Sequence, residues 1–426
     1  MDDSGQVNTL LLLVSGALVL LMTPGVAFFY GGLVRAKSVV SMMMLSLGAM
    51  GLVGVLWVLF GYSMAFGKPL IPGWLGDPFA DWGLQSFLGM DGSGALHPDA
   101  NGLAFAAFQG SFAILAIALI SGGIADRARF GGWMLFVAIF VVVVYFPVAY
   151  WVFNLKDGWG PALGVNDFAG GTAIHINAGA AALALALVLG RRIGFAKGAH
   201  KPHSVPLVLL GAALLWFGWF GFNAGSAAAV DGTAVLAFIN TIAAPAAGIV
   251  GWLVVEKLKD GKPTSIGAAS GAISGLVAVT PGCNILTPWW ALVLGLVAGA
   301  LCAWAVELKY RWGFDDSLDV VGIHLIGGLF GTLYIGIFGQ GIGLLDTGSL
   351  HQLGVQALAS VVVLVCSFVA AYAIGWVVEK TIGFRVRSED ELAGVDLALH
   401  GESGYVMADG GVSDDPVTEP DYALTH

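Results

Sequence analysis

The chain has 426 residues, of which 58% are hydrophobic and only 11% charged, and its mean hydropathy is +0.85. That is too little charge to cover a soluble surface, so the composition excludes soluble enzymes and binding modules and makes the chain an integral membrane protein. The net charge of −10 comes largely from the outside loops and the tail and says little about a partner, no nucleic acid is expected, and Cys283, Cys302 and Cys366, scattered in or beside apolar runs, indicate neither a disulfide framework nor a metal site.

Windows of about 20 apolar residues predict an all-α fold of eleven membrane helices, near 7–29, 39–66, 102–124, 131–153, 168–189, 205–222, 234–255, 265–280, 288–308, 320–339 and 354–378. With eleven spans, sixteen of the 18 lysines and arginines fall on one side and only Lys68 and Lys156 on the other. By the rule that basic loops stay inside, the amino terminus is outside and the tail cytoplasmic. The start, Met1-Asp2-Asp3-Ser4, lacks a basic region, so no cleaved signal peptide is expected. The 63 glycines fit close helix packing in lipid. A transmembrane domain over 1–378 and a tail over 379–426 are expected.

In chain order, the first span carries T-P-G-V-A-F-F-Y-G-G-L-V-R, where Pro24 and Gly25 are expected to kink the helix. The segment from Gly67 to Asn101 reads as a long external loop rich in Gly, Pro and Asp. F-Q-G-S-F at the start of the third span puts Phe108 and Phe112 on one helix face. Tyr150, Trp151 and Phe153 close the fourth span, and W-F-G-W-F-G-F-N-A-G-S, from Trp216 to Ser226 and including Trp219 and Phe222, closes the sixth. Three aromatic clusters and a serine thus converge at one depth, at the outer face.

Two segments match across the chain: D-F-A-G-G-T-A-I-H-I-N-A-G from Asp167 and D-S-L-D-V-V-G-I-H-L-I-G-G from Asp316. In each, a histidine follows the aspartate by eight residues and a glycine follows the histidine by four; the histidines, His175 and His324, lie 149 residues apart. Five spans separate them, and a repeat with an odd number of spans returns upside down. The two halves, about 7–189 and 205–339, therefore form a five-plus-five inverted pseudo-repeat, with an eleventh helix over 354–378. Eight helical residues rise about 12 Å against a half-membrane of about 15 Å, so the histidines should meet near the midplane. Ionisable groups at that depth are costly and mark function by default.

Two buried, neutral imidazoles each offer one donor and one acceptor nitrogen. They suit a small species that both donates and accepts hydrogen bonds. An outer vestibule of rings suits a cation, at roughly 0.5–2 kcal/mol per contact. A cation that sheds a proton between the two avoids much of the cost of burying charge; ammonium can, potassium and sodium cannot.

These segments, with A-D-R-A-R-F, W-F-G-F-N-A-G-S and the tail's G-F-R-V and H-G-E, resemble the ammonium transporter (Amt) family, related to the Rhesus glycoproteins, over residues from about 10 to 405. The resemblance implies a transporter rather than an enzyme, a homotrimer with one pore per subunit in the cell (inner) membrane, and no cofactor. It implies an outer ammonium site at Phe108 and Ser226, with Phe153 and Trp219 in the same aromatic clusters, a gate of stacked rings at Phe112 and Phe222, and a twin-histidine pore at His175 and His324. Asp167 becomes a structural and electrostatic support near the outer site, and Asp316 its counterpart. The family usually has tryptophan where this chain has Phe153, which predicts looser recruitment unless Trp151 turns inward to compensate, and Lys156 near the mouth would repel cations. Methylammonium is the expected analogue.

Ser388-Glu389-Asp390-Glu391 has capping-box spacing and Gly394 follows as a stop, predicting one short helix in the tail; from Ala408 to Pro420 the composition predicts disorder. Tails of this pattern in the family couple neighbouring subunits and receive PII-type signal proteins. Two alternatives remain: a sensor that reports ammonium to a partner, which no fused signalling domain supports, and a haem protein ligated by His175 and His324, although haem bundles carry several buried histidine pairs and this chain has one.

Overall fold

Hydrocarbon offers backbone amides no water, so a spanning segment must satisfy them internally as a helix. The computed structural model describes residues 3–90, 93–195 and 201–405. Eleven helices long and apolar enough to cross a membrane are found among them: α1 (Asp3–Leu33), α2 (Ala36–Phe66), α3 (Ala100–Ile124), α4 (Phe130–Phe153), α5 (Gly171–Leu189), α6 (Val205–Gly225), α7 (Gly232–Lys259), α8 (Ser265–Gly282), α9 (Pro288–Trp312), α10 (Val321–Phe338) and α11 (His351–Thr381). The eleven predicted spans are these helices, with ends moved by a few residues. Pro24 lies inside α1, and the helix continues past it to Leu33.

Polar side chains at the loop ends start the helices. Asp99 accepts from the amides of Asn101 and Gly102 at α3, Ser204 from Leu207 at α6, Asp231 from Thr233 and Ala234 at α7, and Thr264 from Gly267 at α8. Each satisfies an amide that the first turn leaves free, typically worth about 1 kcal/mol. Missing side chains then bring helices together. A Cβ on Gly211 would stand 2.2 Å from the Phe29 nitrogen, where α6 crosses α1. Cβ atoms on Gly295 and Gly299 would stand 2.0 and 2.1 Å from the carbonyl oxygens of Ala244 and Gly248, where α9 crosses α7. The glycines are thus contact surfaces between backbones rather than points of flexibility.

The odd helices descend from the face that holds Asp3 and the even ones return to it, so α5 and α10 enter the bundle from opposite faces. Two small hairpins, β1–β2 (Pro69–Ile71, Leu75–Gly76) and β3–β4 (Leu88–Met90, Leu96–Pro98), structure the segment read as a loop between Gly67 and Asn101.

The other face is closed by an ion-pair network and the tail. Arg127, fully buried, donates to the carbonyls of Gly123 (3.1 Å) and Asp315 (2.6 Å) and to Ser317 Oγ; Arg192 pairs with Asp126 (3.0 Å) and Asp315 (2.9 Å). Burial pushes the Arg127 guanidinium down to about 10. Burial alone would raise the Asp315 carboxyl, but Arg127 and Arg192 hold it below the ordinary carboxylate range. The motif A-D-R-A-R-F therefore ties the loops after α3 and α5 to the entry of α10.

The tail docks onto this face. Phe384 is fully buried near Gly132 and Phe136, its carbonyl accepting from the Arg129 amide (2.7 Å), while the Val386 amide donates to Arg127 (2.9 Å). Two short helices follow, α12 (Ser388–Ala393) and α13 (Val395–His400), where the sequence predicted one. Gly394, at φ 126°, stops the first, and the chain re-enters a helix at once. The predicted capping box does not form: Arg387 occupies the cap position without a side-chain bond, and Ser388 is already helical. Glu391, 1% exposed, instead takes the Arg385 guanidinium (2.8 Å) and the Ile193 amide (2.6 Å), a charge-assisted pairing stronger than a local cap. Asp396 accepts from the amides of Val40 (3.0 Å) and Ser41 (2.7 Å), supplying the start of α2 with the cap that Ser38 does not. The segment from Ala408 to Pro420 lies outside the described residues.

Candidate functional site

The two histidines meet. His175 Nδ1 and His324 Nδ1 are 3.2 Å apart, with ring centroids separated by 5.3 Å, and both side chains are buried. Two Nδ1 atoms in hydrogen-bond contact hold one proton between them, one ring donating and the other accepting. Direct contact leaves no room for an iron between the rings, which removes the haem alternative.

Three local features deliver the rings. Each helix opens with a π turn that contains its histidine, Gly171–Ile176 in α5 and Val321–Leu325 in α10, a rare departure that concentrates at functional sites. Each is started by its aspartate. Asp167 accepts from the amides of Gly170 (2.9 Å), Gly171 (2.5 Å), Thr172 (2.7 Å) and Ala173 (3.2 Å) and from the Thr172 hydroxyl; Asp316 accepts from the amides of Val320 (3.1 Å) and Val321 (2.7 Å). The glycine four residues after each histidine has a steric purpose. A Cβ on Gly179 would stand 2.6 Å from Leu325, the residue after His324, and one on Gly328 would stand 3.0 Å from the Cβ of His175. Each glycine lets the opposite helix bring its histidine in.

On the side of α4's end, rings continue from the pair. Phe222 lies 6.1 Å from His175, nearly parallel to it at 18°, and stacks on Phe112 at 4.3 Å. Beyond Phe112 opens a vestibule of about 570 Å³ whose wall includes Phe112, Phe153, Asp167 and Ser226, together with Lys156. Ser226 donates its hydroxyl to the Phe222 carbonyl (2.8 Å), which leaves its oxygen free to accept from an occupant of the vestibule. Phe153, partly buried, stands edge-on to Phe112 at 6.4 Å.

Two predicted members of the outer site lie elsewhere. Phe108 is 1% exposed, edge-on beneath Phe112 at 4.7 Å and packed against Gly16 and Gly225, so it supports the stack without lining the vestibule. Trp219 sits deeper, 5.5 Å from His175 and nearly parallel to it, fixed by its indole N–H donating to Thr280 Oγ1 (2.9 Å). It is three residues from Phe222, close to one helical turn, and thus one level further in. Trp151 does not turn inward; it donates to the Trp74 carbonyl (2.7 Å) and packs edge-on against that ring, holding the β1–β2 hairpin.

On the other side of the pair lies a far narrower space. A cavity of about 10 Å³, close to the room needed by one water-sized molecule, is walled by Phe29, Tyr30, Trp219, Leu318, Ile323 and His324. Beyond Leu318 the chain turns polar: Lys309 pairs with Asp319 at 2.5 Å and donates to the Asp316 carbonyl. Tyr30 and Thr280 escaped sequence reasoning as site residues, because each had only a place in an apolar run and no partner in the sequence to point at.

The description "Ammonium Transporter Family" belongs to the family model that matches residues 10–405. An ammonium transporter of Mycobacterium tuberculosis is 48% identical, the match covering 97% of this chain and 94% of that one. One of Bacillus subtilis is 42% identical over 93% of this chain and 98% of its own. Among solved structures, a "Sensor Amt Protein" superposes with a TM-score of 0.86 at 30% identity, covering 93% of this chain and 99% of that one. The crystal structure of Candida albicans Mep2 gives 0.83 at 33% identity, covering 93% and 90%.

Proposed function

The chain belongs to the ammonium transporter family, a family of multi-pass membrane transporters rather than enzymes, and from that premise we propose that it recruits ammonium in the vestibule and conducts ammonia through the histidine pair. The observation that carries this is the sequence of environments along one line: a wide vestibule with ring faces, a carboxylate and a serine oxygen, then stacked phenylalanines, then two rings sharing a single proton, then an apolar space about one molecule wide. Ammonium binds the first as a cation and crosses the last at least cost as a neutral molecule. The proton left behind either returns to the outside or crosses separately.

In this reading the amino terminus and vestibule are outside, residues 1–378 form the transmembrane domain of a homotrimer in the cell membrane, and the tail is cytoplasmic. The tail's contacts with the loops around Arg127, Arg191 and Arg192 make it a lever on the inner mouth, and a PII-type protein bound there would close the pore. The similarity to a sensor protein favours a second reading, in which binding is reported to a partner and flux is incidental.

Uptake of radiolabelled methylammonium by reconstituted vesicles decides between them when the full chain is compared with chains ending at Glu379 and at Val406. Expected are uptake that ammonium inhibits and potassium does not, a fall on truncation after Glu379, and none after Val406. Saturable binding without uptake would establish the sensor instead, and equal uptake by all three chains would remove the tail from the mechanism.

A further inference from the structure

The vestibule wall carries two charged side chains of opposite sign. Asp167 has both oxygens engaged by five donors. Lys156 is exposed and forms no salt bridge or side-chain hydrogen bond among the described residues. Its backbone is nonetheless fixed: Asn154 Oδ1 accepts from the amides of Lys156 (3.2 Å) and Asp157 (3.0 Å), holding the turn just after Phe153. A rigid base therefore presents a long, unpaired cation at the rim of a cavity built for a cation.

Lys156 also lines a second cavity. Beside the vestibule lies a space of about 400 Å³, and Phe66, Asn154 and Lys156 form walls of both. Asp81, Asp157 and Lys68 line only this side cavity. A lysine stem has four rotatable bonds, so the ammonium group can turn toward either space. The side cavity is walled by two carboxylates and a second lysine, Lys68. The vestibule is walled by Phe153 and Asp167, the surroundings that serve the substrate.

We propose that Lys156 is a tethered competitor of ammonium: its charge, turned toward the vestibule or withdrawn toward Asp157 and Asp81, sets the concentration at which the transporter saturates. This rests on the vestibule being the recruitment site. Lys156 acts through space and not in the permeation line, so it affects KM and leaves the maximal rate alone.

Methylammonium uptake in phosphatidylcholine vesicles, whose surface carries no net charge, provides the test. Lys156→Gln should lower KM by about two- to five-fold, the scale of one charge felt across several ångströms of water, with unchanged maximal rate. Raising ionic strength from about 10 to about 150 mM should narrow the difference in KM between the unaltered protein and the variant. Asp157→Asn should raise KM in the unaltered background and do nothing in Lys156→Gln. A shift in KM with Phe153→Ala but none with Lys156→Gln would overturn the tethered-competitor role and leave recruitment in the vestibule standing. No shift in either would overturn both. An equal effect of Asp157→Asn in the two backgrounds would show that the aspartate acts on substrate directly and not through Lys156.

Discussion

Asp167 and Asp316 hold matching places in the inverted halves, each eight residues before its histidine, yet their surroundings differ. Asp167 takes five hydrogen bonds and stands on the wall of a 570 Å³ vestibule. Asp316 takes two, from Val320 and Val321, is 2% exposed, and has Lys309 bonded to its carbonyl while the lysine's charge goes to Asp319. Burial, the largest influence, pushes the Asp316 carboxyl up to about 7; Lys309 and the two amides oppose it and Asp319 adds to it. The repeat fixes where the histidines go, and what surrounds each aspartate decides what else it does. One anchors a helix at the wall of the vestibule, and the other anchors its helix with its carboxyl pushed up by burial.

Breaking the outer anchor should have the larger effect. Asp167→Asn trades a carboxylate that serves five donors for a single acceptor oxygen, a loss on the order of 3 kcal/mol or more, and should lower both thermal stability and uptake. Asp316→Asn should be milder near neutrality, because the amide resembles the protonated carboxyl that is already about half populated there. The pH dependence sharpens the contrast. Between about 4, where a free aspartate ionises, and about 7, the folded chain retains a proton that the unfolded chain has lost. That contribution to stability is complete below this window and disappears as pH rises through it. Unfolding midpoints in detergent from pH 4.5 to 8 should fall more steeply for the unaltered protein than for Asp316→Asn. Parallel curves would mean that Asp316 is ionised throughout.

A smaller effect is expected at the vestibule rim. Phe153→Trp offers a cation a stronger ring face at the vestibule wall, and should tighten apparent methylammonium affinity by about 1 kcal/mol. An unchanged concentration dependence would place the cation contact away from position 153.

The architecture was legible because it follows from one dominant cost: apolar runs must be helices in lipid, and counting them with the basic loops gives eleven. The histidine pair was legible because inverted repetition gives sequence spacing a spatial meaning. The glycine four residues past each histidine was visible as a pattern, but its reason appeared only with the partner helix in place, since the atoms it admits belong to the other half of the chain. Trp219 was assigned to the right helix and the wrong depth, because a span fixes its ends better than the level of each ring. Phe108 lies on the expected face but behind Phe112, which composition cannot order. The capping box failed for a tertiary reason: Glu391 is buried against the Ile193 amide, 198 residues away, and the half-buried Arg385 guanidinium, and local spacing carries no record of Ile193.

The central claim is that His175 and His324, sharing one proton, let ammonia through and keep ions out. Its most direct test is the variant carrying both His175→Ala and His324→Ala, reconstituted and assayed for methylammonium uptake and for potassium-carried current in one preparation. Uptake should fall at least tenfold, or persist as a current that potassium also carries. Unchanged uptake with potassium still excluded would contradict the claim.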